Sequence, residues 1–372
     1  ALTLAAIMSK IGQKVLILEK HFKIGGYTHT FKRNEYEWDV GIHYIGQVHK
    51  PYSISRRVFD YISEKRLKWA STNPNYDRFI FPDAYYDFVS PKESFIDTIN
   101  AYFPNEKDAL NKYLSLVSRV HKTSKSYFKN KALPAFLSKL MYKWMTNEFH
   151  KLANQTTKEV LNSLTNNKKF IGVITGQWGD LGVPPGKSSF AMQAMILNHY
   201  LDGANYPIGG SRMIAESIIP TIENAGGKII PSNGVEKVII KNNKAIGVKL
   251  ENGEELYSKL IISSAGIANT YGKLINDSKY QKLFNERLNQ LKPSGGYVCL
   301  YIGLKGTAKD FNFKQTNLWI YPDYDHDKNI EKYSQNPKEE IPLLYISFPS
   351  SKDPTWEKNH GHTSTIEAIT MD

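Results

Sequence analysis

Apolar residues Leu2, Ala5, Ala6 and Met8 recur at helical spacing and run up to Gly12, which predicts a helix over residues 1–12. The period then changes. Residues 14–19 (KVLILE) form an unbroken apolar, partly β-branched run ending in a carboxylate, the pattern of a strand buried on both faces. Residues 76–89 (YDRFIFPDAYYDFV) alternate aromatic and polar side chains, as strands lining an apolar cavity do. From residue 105 to about 152 helical periodicity returns: Phe136, Leu140, Trp144, Met145 and Phe149 recur at helical spacing, with Lys139 and Lys143 between them. At residues 206–228 a Pro/Gly turn feeds a further helix, with Ser211 as its expected cap and Gly226-Gly227 as its stop. Three strand-like runs follow, at 235–241, 244–250 and 256–263. Asn242-Asn243 and Asn252-Gly253 separate them and suit tight turns, so the three predict a meander. Beyond about residue 290, Gly303-Leu304 and residues 319–322 and 343–348 are expected strands.

Helix, glycine, buried strand and terminal acid together make the second half of a dinucleotide-binding βαβ unit. In such a unit the strand-end carboxylate, here Glu19, accepts hydrogen bonds from ribose hydroxyls. The first strand and the glycine turn of the unit are expected just ahead of Ala1 and are absent from the sequence. Gly25-Gly26 follow within HFKIGGYTHTF; paired glycines make either a tight turn or a backbone that a bulky ligand can approach. Residues 38–44 (WDVGIHY) interleave a carboxylate, a glycine and an imidazole in a strand-to-loop passage. The small residues Ser263-Ser264-Ala265-Gly266 offer a second place for close backbone approach.

The length of 372 residues suits about two domains, and 41% hydrophobic with 23% charged residues excludes a disordered or collagen-like chain. A formal charge of +12 fits an anionic partner, a membrane surface or simply a solvated basic surface. The single cysteine, Cys299, excludes a disulfide framework and any cysteine-based zinc or iron–sulfur site. No apolar run reaches the roughly 18 residues of a spanning helix. Residues 323–327 (DYDHD) and the pair His360 and His362 lack partners at ligand spacing, so no metal site is assigned. A hydrolase triad finds no nucleophile elbow, and no nucleic-acid-binding module is present.

Residues 14–19, 21–31, 38–46 (WDVGIHYIG), 177–185 (QWGDLGVPP), 189–200 (SFAMQAMILNHY), 206–210 and 346–356 (ISFPSSKDPTW) resemble the retinol saturase and carotenoid isomerase group of flavoproteins, relatives of the phytoene desaturases. The resemblance covers nearly the whole chain. It departs from the group in lacking the opening glycine motif and the C-terminal segment that closes over the flavin. It implies an α/β fold: an incomplete Rossmann-like FAD-binding domain with a β-meander (1–49 and 205–289) and an α+β substrate domain (50–204 and 290–372). By the same resemblance Glu19 would hold the adenosine ribose, Gly25 and Gly26 would pass beneath the pyrophosphate and ribityl chain, Val235 would meet the adenine, and Ala265 and Gly266 would lie beside the diphosphate. His43 is the candidate catalytic residue, by its placement.

The implied activity is an FAD-dependent oxidoreductase acting on C=C or C–C bonds of a lipophilic polyene, with NAD(P)H as a candidate electron donor. A basic helical stretch carrying Trp and Phe, residues 105–152, suits a membrane interface as well as a packed core, so a peripheral membrane or cytoplasmic location is expected. Two rival readings share the architecture: a nonenzymatic prenyl-lipid carrier of the GDP dissociation inhibitor type, and a flavin amine oxidase.

Overall fold

The computed structural model describes residues 1–275, 277–290 and 295–371. Helix α1 (Leu2–Lys10) leads into strand β1 (Leu16–Leu18), which pairs in parallel with β9 (Lys228–Ile230). The intervening chain returns through α9 (Met213–Glu223), whose Ile214, Ile218 and Ile222 repeat every four residues and pack with Ala5, Ala6 and Ile17. Alanines at this contact let the two helices lie close against the short parallel pair. The expected cap at Ser211 is corrected. Its hydroxyl is buried without a hydrogen-bond partner, and its backbone N–H instead donates to the Asp39 carboxylate at 3.0 Å. A buried anion from another strand thus satisfies the backbone ahead of the helix, where the sequence suggested a local hydroxyl.

The hairpin of β2 (Thr30–Arg33) and β3 (Tyr36–Asp39) brings Asp39 to this place. Strands β4 (Ile45–Gly46), β5 (Trp69–Ser71) and β8 (Ala204–Pro207) form a small antiparallel sheet in the order β4-β8-β5, with α2 (Ile54–Ser63) between β4 and β5 in sequence. The meander forms from β10 (Val235–Lys241), β11 (Lys244–Leu250) and β12 (Glu255–Tyr257), and Asn242 and Asn243 both take positive φ at its first turn. The third strand is shorter than its apolar run suggests. After Ser258, Leu260 and Ile262 are exposed and the chain leaves the sheet.

The largest sheet has six strands in the order β13-β16-β15-β14-β6-β7: β6 (Asn75–Ile80), β7 (Tyr85–Val89), β13 (Tyr297–Lys305), β14 (Asn317–Ile320), β15 (Leu344–Ser347) and β16 (Thr363–Met371). Only β14 and β6 run parallel; the other pairs are antiparallel. Helices α3 (Lys92–Tyr102), α4 (Lys107–Ala132), α5 (Ala135–Ala153), α6 (Thr157–Asn162), α7 (Lys168–Ile174) and α8 (Phe190–Tyr200) complete this part of the molecule. The long helical stretch of the sequence is two helices, because Pro134 has no N–H to continue α4 and holds Leu133 in an extended conformation. Phe79, Phe88, Phe95, Tyr113, Phe170, Trp178 and Phe190 fill the core between helices and sheet.

Candidate functional site

Glu19 lies one residue beyond β1 and is half-buried. Its Oε1 accepts the His21 N–H at 2.9 Å, which leaves Oε2 without a protein partner among the described residues. The β9–β10 link runs beside it: Asn233 N–H donates to the Glu19 carbonyl at 2.8 Å and Ser232 N–H to that of His21 at 3.0 Å. This places Val235 two residues from a direct contact with the Glu19 backbone. Gly25 has φ 121°, and a Cβ there would meet Thr28 Oγ1 at 2.8 Å and Ala215 of α9 at 3.1 Å. A side chain is therefore excluded, while space beside Gly26 is open. An open hollow of ≈ 420 Å³ adjoins this bend, lined in part by Phe22, Lys23, Ile24, Arg212, Ala215 and Pro231. Ala265 and Gly266 are exposed, and their hydrogen bonds are local, Ala265 N–H to Ser263 Oγ and the Asn269 side chain to Ala265 O. No hydrogen bond among the described residues joins them to Glu19 or to the Gly25-Gly26 bend.

His43 belongs to a different constellation. Its Nδ1 lies 2.6 Å from Oε2 of Glu367 on β16, and Glu367 Oε1 accepts the Asp39 N–H at 2.6 Å. The Asp39 carboxylate in turn accepts from the Tyr206 hydroxyl and from Ser211 N–H. On the other side, the Lys352 ammonium donates to the His43 carbonyl at 3.1 Å, to Ser347 Oγ at 2.8 Å and to Asn317 Oδ1. Asn317 passes the chain on to Asp77 at 3.0 Å, whose other oxygen accepts from Gln177 at 2.9 Å and from the Tyr44 hydroxyl at 3.1 Å. The sheet register explains the line-up, since Glu367 sits opposite Ser347 and Asn317 opposite Asp77. One polar row thus crosses four neighbouring strands. Two positions further along the same face runs an aromatic row, with Tyr345 opposite Trp319, Trp319 opposite Phe79 and Phe79 opposite Tyr86. Tyr44 stacks on Tyr200 at 4.4 Å between ring centroids and joins this aromatic wall.

Burial controls the ionisation of these groups. It pushes the Glu367 carboxyl up to about 8, against the opposing pull of the Asp39 N–H and the Lys352 ammonium. Burial, with the neighbouring Glu367 charge, raises Asp39 to about 6. Burial also raises Asp77, although the Asn317, Gln177 and Tyr44 donors oppose it, and lowers Lys352 to about 8 and His43 to about 4. Among these groups His43 is neutral at pH 7 and Glu367 retains a proton for much of the time. The arrangement is a proton-holding cluster beside an aromatic wall. Residues Glu367, Lys352, Asp77 and Asn317 carried no motif in the sequence. The only signal was polar residues inside otherwise apolar strand patterns, and Lys352 within the string ISFPSSKDPTW.

Comparison with known proteins bears on both regions. The family described as the NAD(P)-binding Rossmann-like domain matches residues 1–62. Human all-trans-retinol 13,14-reductase is 35% identical over 98% of the chain, and the chain spans 62% of that protein's length. Prolycopene isomerase 2, chloroplastic, from an Oncidium hybrid cultivar is 23% identical over 96% of the chain and 61% of its own length. Among solved structures, an oxidoreductase from Methanosarcina mazei superimposes with a TM-score of 0.64 at 15% identity, covering 100% of this chain and 76% of that one. The likeness at that identity establishes the fold, a mixed α/β architecture with a Rossmann-like portion. These findings support a flavin or nucleotide cofactor.

Proposed function

The chain is a homologue of the all-trans-retinol 13,14-reductases and the prolycopene isomerases, and on that premise we propose that it is an FAD-dependent oxidoreductase acting on C=C or C–C bonds of a retinoid or carotenoid. The observation that carries the reading is alignment along almost the entire chain to relatives whose names specify polyenes. The same observation favours it over a prenyl-lipid carrier or an amine oxidase. Residues 1–49 and 205–289 are assigned to the cofactor and residues 50–204 and 290–372 to the substrate.

Two features support an adenine dinucleotide here, the Oε2 of Glu19, which has no protein partner among the described residues, and the bend at Gly25 where a Cβ has no room. Glu19 would accept from the ribose, Gly25 and Gly26 would pass beneath the pyrophosphate and ribityl chain, and Val235 would approach the adenine through its backbone. Ala265 and Gly266 are assigned to the diphosphate side. A bound flavin would supply the hydride and electron chemistry, with NAD(P)H as the candidate electron donor. His43 is the catalytic candidate, and its ring stands 5.5 Å from that of Tyr345 in the aromatic wall. Flavin-loaded protein, reduced and then mixed with a retinoid or carotene, is expected to show reoxidation of its flavin band; a spectrum that no polyene alters overturns the assignment. Glu19→Ala is expected to weaken FAD binding about tenfold, the loss of one charge-assisted hydrogen bond.

A lipophilic substrate must leave a bilayer, and α5 offers a place for that transfer. Trp144 is 82% exposed, Phe136 77% and Leu140 72%, all on one stripe, with exposed Lys139 and Lys143 beside it. Apolar side chains flanked by ammonium groups suit the interface of an anionic membrane. No helix among the described residues is long and apolar enough to cross one. Sedimentation with phosphatidylserine vesicles is expected to carry the protein down, less so at 0.5 M salt, and replacing Phe136, Leu140 and Trp144 together by Ser is expected to abolish it. Undiminished sedimentation of the triple variant would remove this surface from the proposal.

A further inference from the structure

The polar row contains a carboxyl and an imidazole held as a pair with one free end. His43 Nδ1 is 2.6 Å from Glu367 Oε2, and Nε2 has no protein partner among the described residues. The ring is not sealed in: its side chain keeps 13% of its accessibility, whereas that of Glu367 keeps 0%. The ring centroid lies 5.5 Å from that of Tyr345, so the imidazole stands beside the aromatic wall. Its segment also reaches the glycine bend, since a Cβ on Gly41 would lie 3.0 Å from Cβ of Tyr27.

We propose that Glu367 and His43 form a proton-delivery pair, in which His43 Nε2 gives a proton to the ligand and Glu367 is the positioning residue that sets and replenishes the imidazole. The identity of the ligand rests on the polyene reading above; the pair itself does not. In the delivery step a basic ligand atom uses its lone pair to take the Nε2 proton, and the Nε2–H electron pair stays on nitrogen. Glu367 passes its O–H proton to Nδ1, so the ring remains neutral and the carboxyl becomes a carboxylate. One bond to hydrogen forms on the ligand and one carboxyl O–H is lost; nothing is oxidised or reduced. A proton from water entering at Nε2 reverses the relay and restores the carboxyl.

The surroundings suit that cycle. The Asp39 N–H on Oε1 and the nearby Lys352 ammonium both stabilise the carboxylate that delivery leaves behind. The other titratable groups that face Glu367 are Asp39 itself, Tyr206 on β8, and Cys299 and Tyr301 on β13. Burial holds a proton on Glu367 up to about pH 8 and keeps His43 neutral down to about pH 4, so between those limits the neutral pair holds its deliverable proton.

Long-range proton–nitrogen NMR of the chain labelled at histidine reads the tautomer directly, with the His43 signal identified by its loss in His43→Gln or through backbone correlations. At pH 6.5 a neutral ring with its proton on Nε2 is expected, changing to Nδ1–H above about pH 8 as Glu367 ionises. In Glu367→Gln the amide oxygen keeps the Asp39 N–H and the amide nitrogen donates to Nδ1, so Nε2–H is expected to persist to pH 9. An Nδ1–H ring or an imidazolium in the unaltered chain at pH 6.5 overturns the proposal. So does a tautomer switch that survives in Glu367→Gln. These readings need neither flavin nor polyene, so failure of the substrate assignment, seen as no turnover of any polyene, is separable from failure of the pair. In flavin-loaded protein that does turn over a polyene, Glu367→Gln is expected to slow product formation about 100-fold; a change under twofold also overturns it.

Discussion

Single side chains in the polar row carry stability consequences with a definite sign. Glu367 has its pKa raised from 4.5 to about 8 by burial, so between those values the folded protein binds more protons than the unfolded one. Stability contributed by the protonated carboxyl is full below about pH 4.5 and is lost as the pH rises toward 8. Glu367→Gln removes that loss. In urea unfolding the variant is expected to gain on the parent by more than ~1 kcal/mol between pH 5 and pH 8. Lys352→Met acts oppositely, deleting a buried cation and its three hydrogen bonds to His43, Ser347 and Asn317, with an expected cost of about 3 kcal/mol at pH 7 by the same measurement. Asp39 and His43 were legible as residues of interest from WDVGIHY. Their partner Glu367 was not, because it stands 324 residues from His43 in the chain and no spacing rule connects them.

At the scale of elements, local signals were reliable where local physics decides. The Asn-Asn pair announces the β10–β11 turn, whereas the break between α4 and α5 was not anticipated, although Pro134 marks it. The third meander strand was overextended because an apolar run does not reveal where its partner ends. Ser211 misled because a cap depends on what else can reach the helix start, and the buried Asp39 carboxylate reached its neighbourhood first. Strand β16 was overlooked because its Thr/Ser-rich opening (TSTIEAITM) lacks the apolar run of a buried strand. Gly46 illustrates a close approach: a Cβ there would lie 1.9 Å from the His199 carbonyl oxygen, while the Gly46 N–H donates to His199 Nε2 at 2.8 Å. Gly46→Ala is expected to destabilise by about 3 kcal/mol or more in thermal or urea unfolding, since the obstacle is backbone and cannot rotate aside. Trp144→Ser on the exposed stripe of α5 is expected to stay within ~0.5 kcal/mol of the parent in the same assay.

Across the whole molecule, sequence pattern conveyed the architecture of the helix–strand unit around Glu19 and the presence of a meander and an aromatic strand pair. It conveyed little of the six-stranded order, because that order joins segments from opposite ends of the chain. The parallel pairing of β14 with β6 is the extreme case, with Asn317 bonded to Asp77 across 240 residues. A ribosome adding roughly 5–20 residues per second emits β6 and β7 about 12–48 s before their partner strand exists. During that interval the edge of the aromatic hairpin that later receives β14 has no strand to pair with, so residues 75–89 offer a sticky edge to chaperones until β14 emerges.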